Sequence, residues 1–235
     1  MAAHGYRTGD PGLLMDRLAR VRGRIAAAGG ADRVTLVAVT KGFAPEVVAT
    51  ALRAGLIDVG ENYAQELVGK AAALAAGVEA GETLAPRWQF LGSLQTNKAS
   101  RLAPLVQRWH GIDREAAGVA LSRHQPGAQV FVEVNVAGMA GRSGCRVEET
   151  ERLVERLVAL GIDVRGLMTV APPSDPAGAR QAFRRLAELS RQLGLKELSM
   201  GMSDDFETAI EEGATTVRLG RALFGPRPGR TGLQR

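Results

Sequence analysis

The sequence predicts an α/β protein built as a single (β/α)8 barrel. Eight short apolar runs alternate with longer amphipathic ones along the chain. The length, 235 residues, is close to the roughly 250 residues such a barrel uses. The first strand ends in Thr40-Lys41-Gly42-Phe43, without the Gly-rich turn that commonly follows the first strand of a doubly wound open sheet.

An extra helix precedes the barrel, from Pro11 to Ala28, with Leu13, Leu14, Leu18, Val21 and Ile25 at helical spacing. It is expected to cover one end of the sheet. The first strand is Val34 to Thr40, an apolar, β-branched run, and Pro45 opens a helix that stops at Gly55. The unit then recurs. Ile57–Gly60 and Trp88–Leu91 are strands, followed by helices over Tyr63–Ala75 and Gln95–Ala103, with a loop over Gly77–Pro86. Val106–Ile112 is followed by Arg114–Arg123, and Gln129–Val136, the clearest central strand, by Arg146–Leu160. Val164–Met168 leads to a long helix, Pro176–Leu193, and Glu197–Met200 leads to Asp204–Glu212. Thr216–Leu219 is the last strand, with a short helix near Ala222. No linker-like change in composition divides the chain. Residues 1–30 are expected to form an extension packed on the barrel, 31–226 the barrel, and 227–235 a frayed tail.

Bulk properties exclude several classes. The formal net charge is +5 and the pI near 10, but the arginines are spread along helices among acidic residues. No basic tract is interleaved with aromatics, which make up 4% of the chain, so nucleic acid is not the expected partner. Cys145 is the one cysteine, which excludes an internal disulfide and a zinc cluster. Residues 1–10 lack an apolar core of the secretory kind, and no apolar stretch approaches the ~20 residues of a membrane span. A cytoplasmic, monomeric protein is expected. His4, His110 and His124 are scattered and offer no metal set, and P-loop, H-E-x-x-H and G-x-S-x-G patterns are absent.

Function in such a barrel sits at the carboxyl ends of the strands. The polar residues there are Lys41, Glu61, Asn62, Ser93, Asp113, Asn135, Thr169, Ser203, Arg218 and Gly220. Lys41 stands out. The chain holds four lysines among 30 basic residues, the rest being arginine. An ammonium at the mouth of a buried strand loses hydration, so a neutral amine becomes accessible, and an amine can condense with an aldehyde where a guanidinium cannot. A snorkelling surface lysine is the alternative. Ser203 and the Gly220-Arg221 turn open the last two units, where barrels often bind phosphate; two ordinary capped helix starts are the alternative. Alternation turns Arg218 inward, where it requires a partner, for instance Glu61 or Glu133. An amine opposite a phosphate site fits pyridoxal 5′-phosphate.

Several motifs in order resemble one family, the YggS/PROSC pyridoxal phosphate homeostasis proteins. They are Ala38-Val39-Thr40-Lys41, Gly60-Glu61-Asn62-Tyr63-Ala64-Gln65-Glu66, the run from Trp88 to Lys98, Gly166-Leu167-Met168-Thr169, the run from Ser199 to Asp205, and Val217-Arg218-Leu219-Gly220. The resemblance implies a barrel similar to the N-terminal domain of alanine racemase, standing alone. It implies Lys41 as the Schiff-base lysine for pyridoxal 5′-phosphate, Asn62 near the ring, Met168 packed beside it and Arg218 facing the pyridine nitrogen. It implies Ser203, Gly220 and Arg221 around the phosphate. Three positions depart from the family pattern. Gly42-Phe43-Ala44 replaces a stretch that often holds a second lysine, Arg221 stands where Thr is common, and Gly141-Arg142-Ser143-Gly144 keeps a cation as Arg rather than Lys.

Arg218 cannot accept a proton, so it would leave the pyridine nitrogen neutral and the electron sink weak. No second domain is expected to supply a tyrosine base, and of Tyr6 and Tyr63 only Tyr63 falls near the predicted site. The expected role is holding, buffering and delivering the cofactor, with apoenzymes as recipients and little catalysis. A small fold-type III enzyme acting on amino acids, and a barrel forming a Schiff base with a sugar phosphate, are the alternatives.

Overall fold

The computed structural model describes residues 10–77 and 85–227. Eight parallel strands close into a barrel in chain order. They are β1 (Thr35–Val39), β2 (Asp58–Glu61), β3 (Arg87–Ser93), β4 (Val106–Ile112), β5 (Gln129–Glu133), β6 (Asp163–Met168), β7 (Glu197–Ser199) and β8 (Thr216–Leu219). The barrel closes where β8 pairs with β1, from Thr35 opposite Thr216 to Ala38 opposite Leu219. The outer layer holds α2 (Pro45–Arg53), α3 (Ala64–Gly77), α4 (Ala99–Leu102), α5 (Glu115–His124), α6 (Thr150–Ala159), α7 (Pro176–Gln192), α8 (Phe206–Glu211) and α9 (Arg221–Phe224). The expected (β/α)8 class, like the N-terminal barrel of alanine racemase, is therefore the observed one.

The extra helix α1 spans Pro11–Ala27. Asp10 caps it, accepting from Gly12 N–H at 2.8 Å, and Pro11 supplies the first-turn residue that needs no hydrogen bond. Leu14, Leu18, Val21 and Ile25 are buried, while Leu13 is exposed. The helix packs on α8 and α9 rather than across an end of the sheet. A hydrophobic stripe of this width needs a broad apolar partner, and the helices of the last two units offer one.

Three elements differ from expectation; the helix expected over Arg146–Leu160 opens with a 3-10 turn, Val147–Glu149, before α6. The run Gln95–Ala103 divides into a 3-10 turn, Thr96–Lys98, and the short α4. The strand expected to run to Val136 stops at Glu133; Val134 instead bridges Cys145. The returning chain passes so close that a Cβ on Gly144, at φ +106°, would lie 2.6 Å from Asn135 N. That excursion closes one wall over the barrel mouth. The expected Gly77–Pro86 loop falls mostly on residues 78–84, and the expected tail on 228–235, outside the described residues.

The apolar core lies between strands and helices. Val217 and Leu219 of β8 face it, as alternation predicts, and are fully buried. The barrel interior is more polar. His110 stacks on Phe131 with ring centroids 4.5 Å apart, and Gln89, Ser199 and Arg218 share that interior. Among the described residues, no helix is long and apolar enough to cross a membrane.

Candidate functional site

A cavity of about 690 Å³ opens at the carboxyl ends of the strands. All seven predicted residues line it: Lys41, Asn62, Met168, Ser203, Arg218, Gly220 and Arg221. They come from five different strand ends, as the barrel architecture requires.

Lys41 follows β1 and is half-buried. Burial pulls its ammonium below the ordinary lysine value; the cations Arg227 and Arg218 add to this, while Glu61 and Glu66 oppose it. Asn62 follows β2, and its Oδ1 is buried without a hydrogen-bond partner. Met168 ends β6 and packs with 2% exposure against the cavity.

Arg218 projects inward from β8 with 5% exposure. Its guanidinium donates to Ser199 Oγ at 2.6 Å and to the Thr169 carbonyl at 2.9 Å. Among the described residues no carboxylate reaches it at ion-pair distance, so neither suggested partner pairs with it directly. Glu61 is taken by Lys70 at 2.5 Å, and Glu133 accepts from Ser143 Oγ at 2.6 Å. Burial lowers Arg218 to about 10, with Glu133 and Asp205 opposing, so it stays cationic at neutral pH.

The turns after β7 and β8 are tied together. Ser203 does not cap the helix that follows it. Asp205 stands at the N-cap position of α8 without a side-chain cap bond, its carboxylate turning back to accept from Met202 N–H, and Ser203 Oγ accepts from Ala222 N–H of α9 at 3.1 Å. The loop after β7 and the turn after β8 therefore form one unit. Gly220 lies close to β1, where a Cβ would sit 3.1 Å from the Val39 carbonyl. The N–H groups of Gly220 and Arg221 begin α9 and have no protein acceptor among the described residues. The Arg221 side chain turns to Asp204, leaving its backbone as the available donor.

Tyr63 is 61% exposed and lies in a neighbouring cleft with Lys98 and Arg101, outside the Lys41 cavity. The cavity also contains Glu133, Ser143 and Arg227, which motif reading did not single out as site residues. Glu133 was traceable, because it shares the inward register of Phe131. Burial raises its carboxyl. Ser143 and Arg227 carry no such pattern, since they reach the cavity from loops.

Fold and site define a barrel that presents one lowered amine to a donor-lined cradle. Sequence comparison places that class. The family model for the alanine racemase N-terminal domain matches residues 15–228. A pyridoxal phosphate homeostasis protein from Pseudomonas aeruginosa is 42% identical over 227 residues, covering 91% of this chain and 96% of that one. Its namesake from Escherichia coli K12 is 34% identical over 226 residues, covering 89% and 95%. The structure of PipY from Synechococcus elongatus PCC7942 with PLP bound superposes with a TM-score of 0.77 at 28% identity, covering 90% of this chain and all of PipY. An alanine racemase from Corynebacterium glutamicum shares the fold, with a TM-score of 0.66 at 21% identity, this chain spanning 63% of its length. The chain belongs to the pyridoxal phosphate homeostasis protein family.

Proposed function

We propose that this protein binds pyridoxal 5′-phosphate on Lys41 and serves its homeostasis in the cytoplasm, holding the cofactor and delivering it to apoenzymes, as a monomer with little or no catalysis. The observation that carries this reading is the shared cavity: the lowered Lys41 amine opens onto the same space as the Ser203–Gly220–Arg221 turns. The residues present fit the group. Asn62 Oδ1 is a buried acceptor awaiting a donor, and the Gly220 and Arg221 N–H groups suit an anion. When bound, pyridoxal phosphate would supply an aldehyde able to condense with the Lys41 amine, releasing one water. Met168 would pack on the ring. Arg218 is a donor only and stays cationic, so it would hold a ring nitrogen in its unprotonated form and give little help to carbanion chemistry. The bonds to Ser199 and Thr169 keep that guanidinium in place.

Titration of the pure protein with pyridoxal phosphate is expected to give an absorbance band near the visible edge, fixed by borohydride and lost in Lys41→Ala. Mass spectrometry should place the reduced adduct on Lys41; location on Lys70, Lys98 or Lys196 would refute the assignment. Incubation with an amino-acid panel and chiral analysis should show no turnover at substrate-level rates. Robust racemisation or decarboxylation would make it an enzyme.

A further inference from the structure

Lys70 has no place in the cavity, yet it is one of the most buried charges in the molecule. It lies on α3 with 4% exposure, against the fully buried Glu61. Such a pair costs heavily in desolvation, and apolar residues of similar size would fill the space more cheaply. Its contacts show what it holds. Lys70 Nζ donates to Glu61 Oε1 at 2.5 Å and to the Thr40 carbonyl at 2.7 Å. Thr40 Oγ1 donates to the same Glu61 oxygen at 2.5 Å. One turn earlier on α3, Glu66 Oε2 accepts the Gly42 N–H at 2.8 Å and lies 3.5 Å from Lys70 Nζ.

Thr40 and Gly42 flank Lys41. A peptide unit is planar. Holding the carbonyl of residue 40 fixes the plane before Lys41, and holding the N–H of residue 42 fixes the plane after it. Together the two planes set φ and ψ of Lys41, and so the direction of its Cα–Cβ bond. Gly42, at φ +75°, would otherwise be a soft joint.

We propose that Lys70 and Glu66 are positioning residues, which hold from α3 the two peptide groups flanking Lys41 and so aim its amine into the cavity. The same contacts commit the Lys70 amine to protein acceptors and remove it as a rival nucleophile. The ligand in this inference rests on the function proposed above; the aiming itself does not.

The test compares wild type, Glu66→Ala and Glu66→Gln by two readouts. Trace acetylation of Lys41 by acetic anhydride in the ligand-free protein reports the amine itself, because so small a reagent needs little aim. The rate of pyridoxal phosphate attachment, located by reduction and mass spectrometry, reports aim. Arg227 and Arg218 face Lys41 as cations, and Glu61 and Glu66 as anions. Removing the Glu66 charge therefore leaves acetylation unchanged or faster in both variants. Attachment in Glu66→Ala is expected to slow about tenfold, while Glu66→Gln, which keeps an oxygen for Gly42 N–H, stays within about twofold of wild type. Wild-type attachment in Glu66→Ala, equal losses in both readouts, or equal losses in Ala and Gln would each overturn the proposal. Lys70→Met should behave as Glu66→Ala; should it not fold, the Glu66 pair decides. Should wild type take up no pyridoxal phosphate, the function above falls, and the same comparison with phosphate-free pyridoxal under borohydride still decides the aiming.

Discussion

Arg218 and Ser199 form a directional link through the barrel interior. A guanidinium only donates, so Ser199 Oγ accepts from it at 2.6 Å and turns its own proton to His110 Nδ1, 2.8 Å away. His110 then carries its proton on Nε2, which donates to Gln89 Oε1 at 2.7 Å. Gln89 in turn donates to Asp58 Oδ1 at 2.6 Å, and Asp58 also accepts from Arg87. A continuous chain thus joins the cavity end of the barrel to the opposite rim.

Ser199→Ala breaks this chain at two points. Arg218 loses one acceptor and His110 Nδ1 loses its donor, in a site closed to water. A loss of about 2–3 kcal/mol is expected, measured by urea denaturation. A midpoint equal to wild type would show the link to be dispensable.

His110 is held neutral. Burial, helped by the Arg218 and Arg108 cations, puts it well below the ordinary 6.5. The unfolded chain therefore takes up a proton that the native chain refuses, and stability falls as pH drops below about 6.5, by roughly 1.4 kcal/mol per unit. Glu61, Glu133 and Asp205 are shifted upward and oppose this slope nearer the carboxylate range. The difference between wild type and His110→Gln isolates the histidine: its pH dependence should flatten between about pH 6.5 and 5.5. Parallel curves would refute the neutral assignment.

Lys41 should react with acylating reagents along a pH profile whose midpoint lies below 10.5. A nearby cation favours the neutral amine. Arg227→Gln should therefore move the profile to higher pH and slow labelling at pH 7. An unmoved profile would remove Arg227 from the account.

Cys145 is buried, and burial raises its thiol to about 11. At pH 8 only about one thiol in 10³ is thiolate, the reactive form. A disulfide reagent should label it on unfolding in urea and scarcely at all in the native state. Prompt stoichiometric labelling of native protein would contradict the packing around it.

Gly92 sets one wall of the cavity. A Cβ there would lie 2.3 Å from the Asn62 carbonyl, backbone that yields only by moving the strand end bearing Asn62. Gly92→Ala is expected to lose about 2–3 kcal/mol and to weaken pyridoxal phosphate retention. Wild-type values for both in a calorimeter and a dialysis assay would show that the wall gives way freely.

Much of this was legible along the chain. The alternation of short β-branched runs with amphipathic ones announced the barrel, because each strand buries both faces while each helix buries one. Lys41, Ser203 and Gly220 were legible because strand ends in a closed barrel gather at one rim. Strand ends were less so: β5 stops at Glu133 because the chain from Cys145 returns against it, a contact of tertiary origin.

Local pattern assigns a residue to a face and an end of its element, and hydrophobic burial enforces that choice residue by residue. It leaves open which inward charges meet. Glu61 pairs with Lys70 rather than Arg218, and Ser203 serves α9 rather than its own helix. Those pairings follow from how β8 registers on β1 when the barrel closes and from how α3 seats beside the first loop. Electrostatic partners are chosen over distances of a few ångströms between segments far apart in the chain, so their choice belongs to the folded molecule.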